Sequence, residues 1–332
     1  ELLLDAYRVR GARESVLHGG IVSRRVGYNP PMALGYDGKL YILAFDHRGS
    51  FQKKFFGVSG EPDEEETARI SDAKRVIYEG ARRALDEGVE ADAAGVLVDE
   101  QFGAAIARDA KAAGFRLAMP VEKSGQEEFD FQYGDEFGAH IETFDPNFSK
   151  VLVRYNTEGD QAMNERQAGR LKRLGDWLHE HGRRFLFELL VPATPEQIEA
   201  AGGDEQRWDS EERPKLMKVA IEELQEAGVE PDIWKIEGID RREDCEMISA
   251  TTRRDGREGV ACVVVGRGAD DAAVDHWLET GSGVPGYIGF AIGRSIWWDP
   301  LKGFVDGNLG REEAAKQIAA NYRRFIDVYN GR

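Results

Sequence analysis

The sequence predicts a single-domain α/β fold, the (β/α)8 or TIM barrel, on the basis of three observations. Eight short apolar runs, each of strand length, alternate along the chain with helical stretches. No Pro/Ser-rich linker and no change in composition interrupts this alternation. The GxGxxG fingerprint of dinucleotide-binding folds is absent from the first strand–helix turn, and open sheets of that class usually stop at five or six strands. Eight βαβ units therefore favour a closed barrel.

The strands are predicted from apolar runs that are rich in β-branched and aromatic residues. In chain order they are KLYILAFD at 39–46, AGVLVD at 94–99, FRLAMPVE at 115–122, KVLVRY at 150–155, RFLFELLV at 184–191, DIWKIE at 232–237, ACVVVG at 261–266 and YIGFAIG at 287–293.

The helices are predicted from longer stretches rich in Ala, Glu and Arg that lie between the strands. They cover residues 63–87, 102–113, 160–181, 215–227, 242–254, 271–280 and 311–329. Residues 1–35 show only weak periodicity and contain HGG and NPP breaks, so we expect an N-terminal extension or cap there. The barrel domain is then residues 36–332.

Charge and composition narrow the class of partner. The net charge is −17, whereas nucleic acids and anionic membranes are bound through basic patches. No window approaches the ~20 apolar residues of a membrane span, and no signal peptide is expected at the start. Cys245 and Cys262 lie outside any CxxC spacing and suit a reducing cytoplasm. We expect a cytoplasmic protein that binds a small molecule, and a homo-oligomer is compatible with the sequence.

The most informative stretch is DIWKIEG at 232–238. Residues two apart in a strand share a face, so Lys235 and Glu237 point one way while Trp234 and Ile236 point the other. One interpretation is an edge strand with a charged outer face. A closed barrel has no edge, however, so Lys235 must be buried, and a buried ammonium needs a partner or a chemical role.

In this fold the active site forms at the carboxyl ends of the strands. The polar residues at or near those ends are Asp46, His47 and Arg48 (strand one), Asp99 (two), Glu122 and Lys123 (three), Lys150 and Arg154 (four), Glu188 (five), and Lys235 and Glu237 (six). Strands seven and eight are instead followed by the turns Gly266-Arg267-Gly268 and Gly293-Arg294. Backbone N–H groups and arginines in these two turns suit a phosphate.

Two chemistries compete for the strand-end residues, beside a purely structural ion network of Lys150, Glu188 and Lys235. A Mg²⁺ site built from Asp46, Asp99 and Glu122 is disfavoured because several cations share the space, so we expect neither metal nor cofactor. The favoured alternative is amine catalysis. A lysine in an apolar pocket beside a second cation shifts its pKa from about 10.4 toward neutrality and can attack a ketone. Lys150 supplies that cation, and Glu188 moves the protons.

Seven segments together carry a resemblance to a known family. They are LAFDHRGSF, PVEKSGQ, SKVLVRYN, FLFELLVP, PDIWKIEG, VVVGRGAD and GFAIGRSIWWD. From about Leu40 to the C-terminus, the chain resembles the 2-deoxy-5-keto-D-gluconate 6-phosphate aldolase domain family of myo-inositol catabolism. More distantly, it is similar to the class I tagatose-bisphosphate and fructose-bisphosphate aldolases.

The resemblance implies roles for individual residues. Lys235 would be the Schiff-base lysine, Glu188 the acid/base, and Lys150 and Asp46 the other catalytic groups. The resemblance also implies that Arg294 binds phosphate. We place the remaining substrate-binding positions at Arg48, Lys123, Arg154, Gly266, Arg267, Gly268 and Gly293, with Arg48 or Arg154 on a substrate carboxylate.

The predicted activity is therefore that of a metal-independent class I aldolase. If the family's substrate applies, the products are dihydroxyacetone phosphate and malonate semialdehyde. Arg154 and Asn156 depart from the distant bisphosphate aldolases, which makes a substrate carried over from them doubtful. The alternatives are an aldolase for another ketose phosphate (a bisphosphate or a sulfosugar phosphate) or a non-catalytic sugar-phosphate sensor.

Overall fold

A computed structural model of the chain, which describes residues 33–332, contains a closed barrel of eight parallel strands. The strands pair in sequence order and β1 closes the ring against β8, which confirms the predicted TIM barrel. They are β1 Leu40–Ala44, β2 Ala94–Leu97, β3 Arg116–Pro120, β4 Phe148–Arg154, β5 Arg184–Leu190, β6 Ile233–Glu237, β7 Ala261–Val265 and β8 Tyr287–Ile292. The predicted extension of residues 1–35 lies outside the described residues except for its last three.

The helices cover the outside of the barrel. They are α1 Gly49–Phe56, α2 Glu64–Asp86, α3 Glu100–Ala112, α4 Phe137–Phe144, α5 Gln161–Glu180, α6 Pro195–Ala200, α7 Glu205–Glu211, α8 Arg213–Glu226, α9 Arg242–Thr252, α10 Asp271–Gly281, α11 Arg294–Val305 and α12 Arg311–Tyr329. Each of the seven predicted helices is present, within about two residues at either end. None of the helices in residues 33–332 has the length and apolar run that crossing a membrane requires.

Local chemistry explains where the helices begin. Asp63 caps α2 by accepting a hydrogen bond from the Glu66 N–H, and the Glu66 side chain accepts one from the Asp63 N–H. This reciprocal capping box satisfies two of the donors that a helix start leaves free. Asp99 caps α3 and Asp160 caps α5 with only the first of these two bonds, because each side chain accepts a hydrogen bond from a backbone N–H of its helix. The strand-to-helix junctions are therefore anchored at the end of the barrel where the polar residues lie.

Two apolar layers fix which side chains reach the barrel interior. Trp234 and Ile236 belong to the outer layer, between strands and helices. Phe148, Leu186 and Ile233 belong to a separate cluster that fills the interior. Because side chains alternate along a strand, the residues two positions later on β4, β5 and β6 also face inward. Those residues are Lys150, Glu188 and Lys235, so an ionised layer rests directly on an apolar one.

Candidate active site

A cavity of about 610 Å³ opens at the carboxyl ends of the strands. All twelve residues predicted for the site line it: Asp46, Arg48, Lys123, Lys150, Arg154, Glu188, Lys235, Gly266, Arg267, Gly268, Gly293 and Arg294. The sequence-based placement of the pocket at this face of the barrel therefore agrees with the structure.

A buried ion network lies at the floor of this cavity. The Lys235 ammonium is 2.8 Å from Glu188 Oε2, and the Lys150 ammonium is 3.1 Å from the same oxygen. The parallel register between β5 and β6 makes this contact, because it places Glu188 directly beside Lys235. No more than 6% of any of the three residues is exposed. One glutamate oxygen thus connects the two lysines.

Lys150 is surrounded by carboxylates. Its ammonium also lies 3.0 Å from Asp46 Oδ2 and 2.8 Å from Glu122 Oε1. Burial alone would lower the pKa of Lys150, but Asp46, Glu122 and Glu188 outweigh burial and raise it well above its usual value. Lys150 therefore stays charged at neutral pH, with three carboxylates around its ammonium.

Glu122 is the residue at this site that received no catalytic assignment from the sequence. Its position directly after β3 did place it among the strand-end polar residues. The structure buries it against Lys150 and leaves its Oε2 atom without a hydrogen-bond partner among the described residues. A buried acceptor without a partner, beside a cavity, is free to accept a bond from a ligand hydroxyl.

The two other catalytic candidates are ionised at neutral pH. Burial raises the pKa of Glu188, yet Lys235 and Lys150 more than compensate, and the pKa lies below its ordinary value. Burial likewise opposes ionisation of Asp46, but Lys150, His47 and Lys235 bring its pKa far below normal. Both carboxylates are thus available to accept protons.

His47 lies beside Asp46 and also lines the cavity. Burial lowers its pKa to about 4; Asp46 opposes this shift, while Lys74 and Arg294 add to it. The imidazole is therefore neutral at pH 7. Its Nδ1 atom is buried and has no hydrogen-bond partner among the described residues.

A second ion network lies at the carboxyl end of β6, and its members Glu237 and Arg267 also line the cavity. Glu237 accepts a hydrogen bond from the Val191 N–H at 3.0 Å and contacts Arg267 at 3.2 Å. Arg267 in turn contacts Asp209 of α7 at 2.7 Å. Burial raises the pKa of Glu237, against the opposing charges of Arg213 and Arg267. Glu237 is therefore paired with Arg267, whereas Lys235 is paired with Glu188.

The predicted phosphate-binding turns come together after β7 and β8. Arg267 and Gly268 both have positive φ, 52° and 76°. The positive φ of Gly268 favours glycine, and a Cβ there would lie 2.4 Å from the Arg294 guanidinium carbon, so a larger residue would also displace that side chain. Arg294 also donates to the Arg267 carbonyl at 2.7 Å. The guanidinium of Arg267 is held by Glu237 and Asp209, so direct phosphate binding by that side chain stays a prediction.

The predicted carboxylate-binding side of the cavity is built around the loop after β3. Arg48 donates to the Glu122 carbonyl at 2.7 Å, and Arg154 donates to the Gln126 carbonyl at 2.7 Å. Lys123, by contrast, is half exposed and forms an ion pair with Asp130. Arg48 and Arg154 therefore face the cavity with charges that no carboxylate neutralises within 4 Å in residues 33–332.

The cavity is positively charged although the chain is strongly acidic. Eight of its lining residues are Lys or Arg and four are Asp or Glu, whereas the whole chain carries −17. Within the described part of the chain, four of these cations have no carboxylate within 4 Å, namely Arg48, Lys54, Arg154 and Arg294. Such a local excess attracts anionic ligands.

Asp99 does not belong to this site. Its carboxylate pairs with the buried Lys74 and caps α3 through the Phe102 N–H. The three carboxylates of the alternative magnesium site are therefore not brought together. In residues 33–332, no group of three or more His, Cys, Asp or Glu side chains is placed to hold a metal ion.

Comparison with known proteins places the chain among its relatives. The crystal structure of an archaeal fructose 1,6-bisphosphate aldolase is similar to it, with a TM-score of 0.54 and 15% sequence identity, over 89% of this chain and 95% of that one. At this identity the similarity concerns the fold. No curated protein matches the sequence. Residues 34–332 match the family described as "Uncharacterized protein conserved in bacteria (DUF2090)", and the chain therefore belongs to that family.

Proposed function

We propose that this protein is a class I aldolase that cleaves a phosphorylated keto-sugar acid through an iminium on Lys235. The observation that carries the proposal is the buried contact of Lys235 with Glu188, 2.8 Å long, at the floor of a cationic cavity. The similar fold of an archaeal fructose 1,6-bisphosphate aldolase supports the proposal. A purely structural network is the less favoured interpretation, because buried ion pairs often stabilise no more than apolar replacements would.

The first half of the proposed reaction forms the iminium. Glu188 is ionised, so its carboxylate takes a proton from the neighbouring Lys235 ammonium. The free amine then attacks the ketone carbon, and the protonated Glu188 returns its proton to the departing hydroxyl, which leaves as water. Lys150 stays charged throughout and stabilises negative charge that develops on oxygen.

The second half breaks the carbon–carbon bond. Asp46 accepts the proton of the hydroxyl whose carbon becomes the aldehyde, and the electrons of the broken bond move to the iminium nitrogen. The resulting enamine is protonated on carbon and hydrolysed, which releases the ketone product and restores Lys235. Glu188 can replace Asp46 as the base in this step.

The substrate we propose is 2-deoxy-5-keto-D-gluconate 6-phosphate, which gives dihydroxyacetone phosphate and malonate semialdehyde. Its phosphate would lie against Gly266–Gly268, Gly293 and Arg294, because such turns can offer backbone N–H groups and the Arg294 guanidinium has no carboxylate within 4 Å in residues 33–332. Its carboxylate would lie near Arg48 or Arg154. A second candidate, an aldolase for a ketose bisphosphate, is favoured by the same unpaired cations at both ends of the cavity.

Two measurements test the proposal. Borohydride reduction in the presence of 2-deoxy-5-keto-D-gluconate 6-phosphate should attach the triose phosphate to Lys235, and Lys235→Ala should abolish the adduct. A product assay over a panel of phosphorylated keto acids and ketose bisphosphates should then identify the substrate. Tight binding of the panel without adduct or turnover would contradict the aldolase proposal and favour a sugar-phosphate sensor.

A further inference from the structure

Lys74 is a second buried lysine, and the proposed reaction does not use it. It lies on the inner face of α2 and is fully buried, with 0% of the residue exposed. Its ammonium donates to the Phe45 carbonyl at 2.9 Å, to the His47 carbonyl at 2.7 Å, and to Asp99. All three of its protons are therefore engaged, and none points into the cavity.

The two carbonyls belong to the residues immediately before and after Asp46. The chain has left β1 at this point, so the two carbonyls have no strand partners, and Lys74 supplies the missing donors. The other end of the contact is equally fixed, because the second oxygen of Asp99 accepts from the Phe102 N–H at the start of α3. One ammonium thus holds the backbone on both sides of the Asp46 carboxylate.

We propose that the Lys74–Asp99 pair is a positioning device that holds the backbone at Phe45 and His47 so that the Asp46 carboxylate meets Lys150 and the substrate hydroxyl. Within residues 33–332, the Asp46 side chain is otherwise held at its tip, by the 3.0 Å contact with Lys150. This inference rests on the proposed role of Asp46. It assigns a function to Asp99 that differs from the metal-ligand role considered for it from the sequence.

The test uses Lys74→Met/Asp99→Asn, which removes both buried charges together and leaves an asparagine oxygen to cap α3. With 2-deoxy-5-keto-D-gluconate 6-phosphate as substrate, we expect kcat to fall roughly 10- to 100-fold and KM to change less than about threefold, because a small misplacement affects the reacting geometry most. Trapping at Lys235 should persist, since Lys235, Glu188 and Lys150 do not contact Lys74.

The decisive comparison adds Asp46→Asn. Residues that act as a unit have non-additive effects. Once Asp46→Asn is present, Lys74→Met/Asp99→Asn should therefore lower kcat no further. If Lys74→Met/Asp99→Asn lowers kcat by the same factor with and without Asp46→Asn, the inference is overturned and Lys74 has a general structural role. Full activity of Asp46→Asn alone would instead contradict the proposed role of Asp46.

A crystal structure of the Lys74→Met/Asp99→Asn variant gives a readout that needs no substrate. We expect the Asp46–Lys150 contact to be lost while the contacts of Glu188 with both lysines remain. An unchanged Asp46–Lys150 distance would refute the inference. If this variant does not fold, the same structural test applies to Lys74→Gln/Asp99→Asn. We expect the same loss of the Asp46–Lys150 contact, because the shorter glutamine side chain cannot reach both carbonyls.

Discussion

At the scale of single residues, the central feature of the site is that one carboxylate oxygen of Glu188 contacts two lysines. Its Oε2 atom contacts both ammonium groups, at 2.8 Å from Lys235 and 3.1 Å from Lys150. The same two cations keep the carboxylate ionised despite its burial. In the proposed reaction, Glu188 would therefore hold the proton from Lys235 directly beside the reacting nitrogen. This position suits a group that must give the proton to the departing hydroxyl one step later.

Glu188→Gln should slow iminium formation about 10²- to 10⁴-fold, the usual contribution of a positioned acid/base. The amide keeps the shape of the side chain but cannot accept a proton from Lys235. The measurement is the rate of borohydride-trapped adduct formation with dihydroxyacetone phosphate. Glu230→Gln serves as the matched control, because Glu230 pairs with Arg257 and is remote from the cavity. Trapping by Glu188→Gln at the wild-type rate would exclude Glu188 as the proton carrier.

His47 should make the protein less stable in mild acid. Its pKa is about 4 in the folded state against 6.5 ordinarily, so between these values the unfolded chain binds a proton that the folded chain excludes. The contribution of neutral His47 is complete above pH 6.5 and decreases as the pH falls toward 4, by at most about 1.4 kcal/mol per pH unit. Urea unfolding at pH 7, 6 and 5 should show a weaker pH dependence for His47→Gln than for wild type. Equal dependence in both proteins would be inconsistent with a neutral buried His47.

At the scale of secondary-structure elements, the strands were predictable and five helices were not. The apolar runs locate all eight strands, and the sequence also indicates that Lys235 is buried, because a closed barrel has no edge strand. Whether Lys235 faces the barrel interior or the helix layer did not follow from the sequence. Helices α1, α4, α6, α7 and α11 were not predicted. Four of them have at most eight residues, and α11 contains Pro300, so their periodic signal is weak.

The partners of the charged residues were the part of the site that sequence reasoning could not supply. Asp99 and Glu122 both follow strands, yet only Glu122 reaches the cavity. The difference arises because Lys74, which is separated from Asp99 by 25 positions, draws that carboxylate toward α2. The two carboxylates that hold Arg267 come from β6 and from α7, a helix that was not predicted. The orientation of the Arg267 side chain therefore could not be predicted from the sequence either.

The short helix α7 should influence substrate affinity through Asp209. This carboxylate contacts Arg267 at 2.7 Å and so supports the Gly266–Gly268 turn. Asp209 also accepts hydrogen bonds from the buried Arg213. We expect Asp209→Asn to raise KM for a phosphorylated substrate roughly three- to tenfold with kcat within about twofold, because charge-assisted hydrogen bonds are weakened outside the reacting centre. Steady-state kinetics measures the effect. A lower KM would show instead that Asp209 withholds Arg267 from the phosphate.

At the scale of the whole molecule, the distribution of charge separates the cavity from the rest of the surface. The chain carries −17, while the cavity lining has twice as many cationic as acidic residues. Arg154 lies on the β4 side of the opening and Arg294 on the β8 side, nearly half a turn apart around the ring of strands. This arrangement favours ligands with an anionic group at each end over ligands with one.

Thermal unfolding should therefore rank ligands by their charged groups. At equal concentration and matched ionic strength, we expect fructose 1,6-bisphosphate to raise the midpoint more than fructose 6-phosphate, and fructose to raise it least. A ligand that binds only the folded state stabilises it in proportion to the logarithm of one plus the ratio of ligand concentration to Kd, about 2.7 kcal/mol at 100 times Kd. Arg294→Gln should reduce both phosphate-dependent shifts, and Arg257→Gln, which is remote from the cavity, should not. An equal shift with all three sugars would contradict electrostatic selection.

The ion network on the floor of the barrel has a consequence for how this protein can evolve. Three carboxylates and two ammonium groups, placed on β4, β5 and β6 or directly after β1 and β3, are joined by contacts of 3.1 Å or less. Removing Lys150 or Lys235 leaves its carboxylate partners without that cation, and an uncompensated buried charge typically destabilises a protein by about 3–5 kcal/mol, a large part of the total stability of a domain. Single substitutions of these lysines therefore lower stability strongly, and we expect the network to be kept or lost as a whole rather than changed one residue at a time. Divergence in specificity is left to the arginines and loops at the rim.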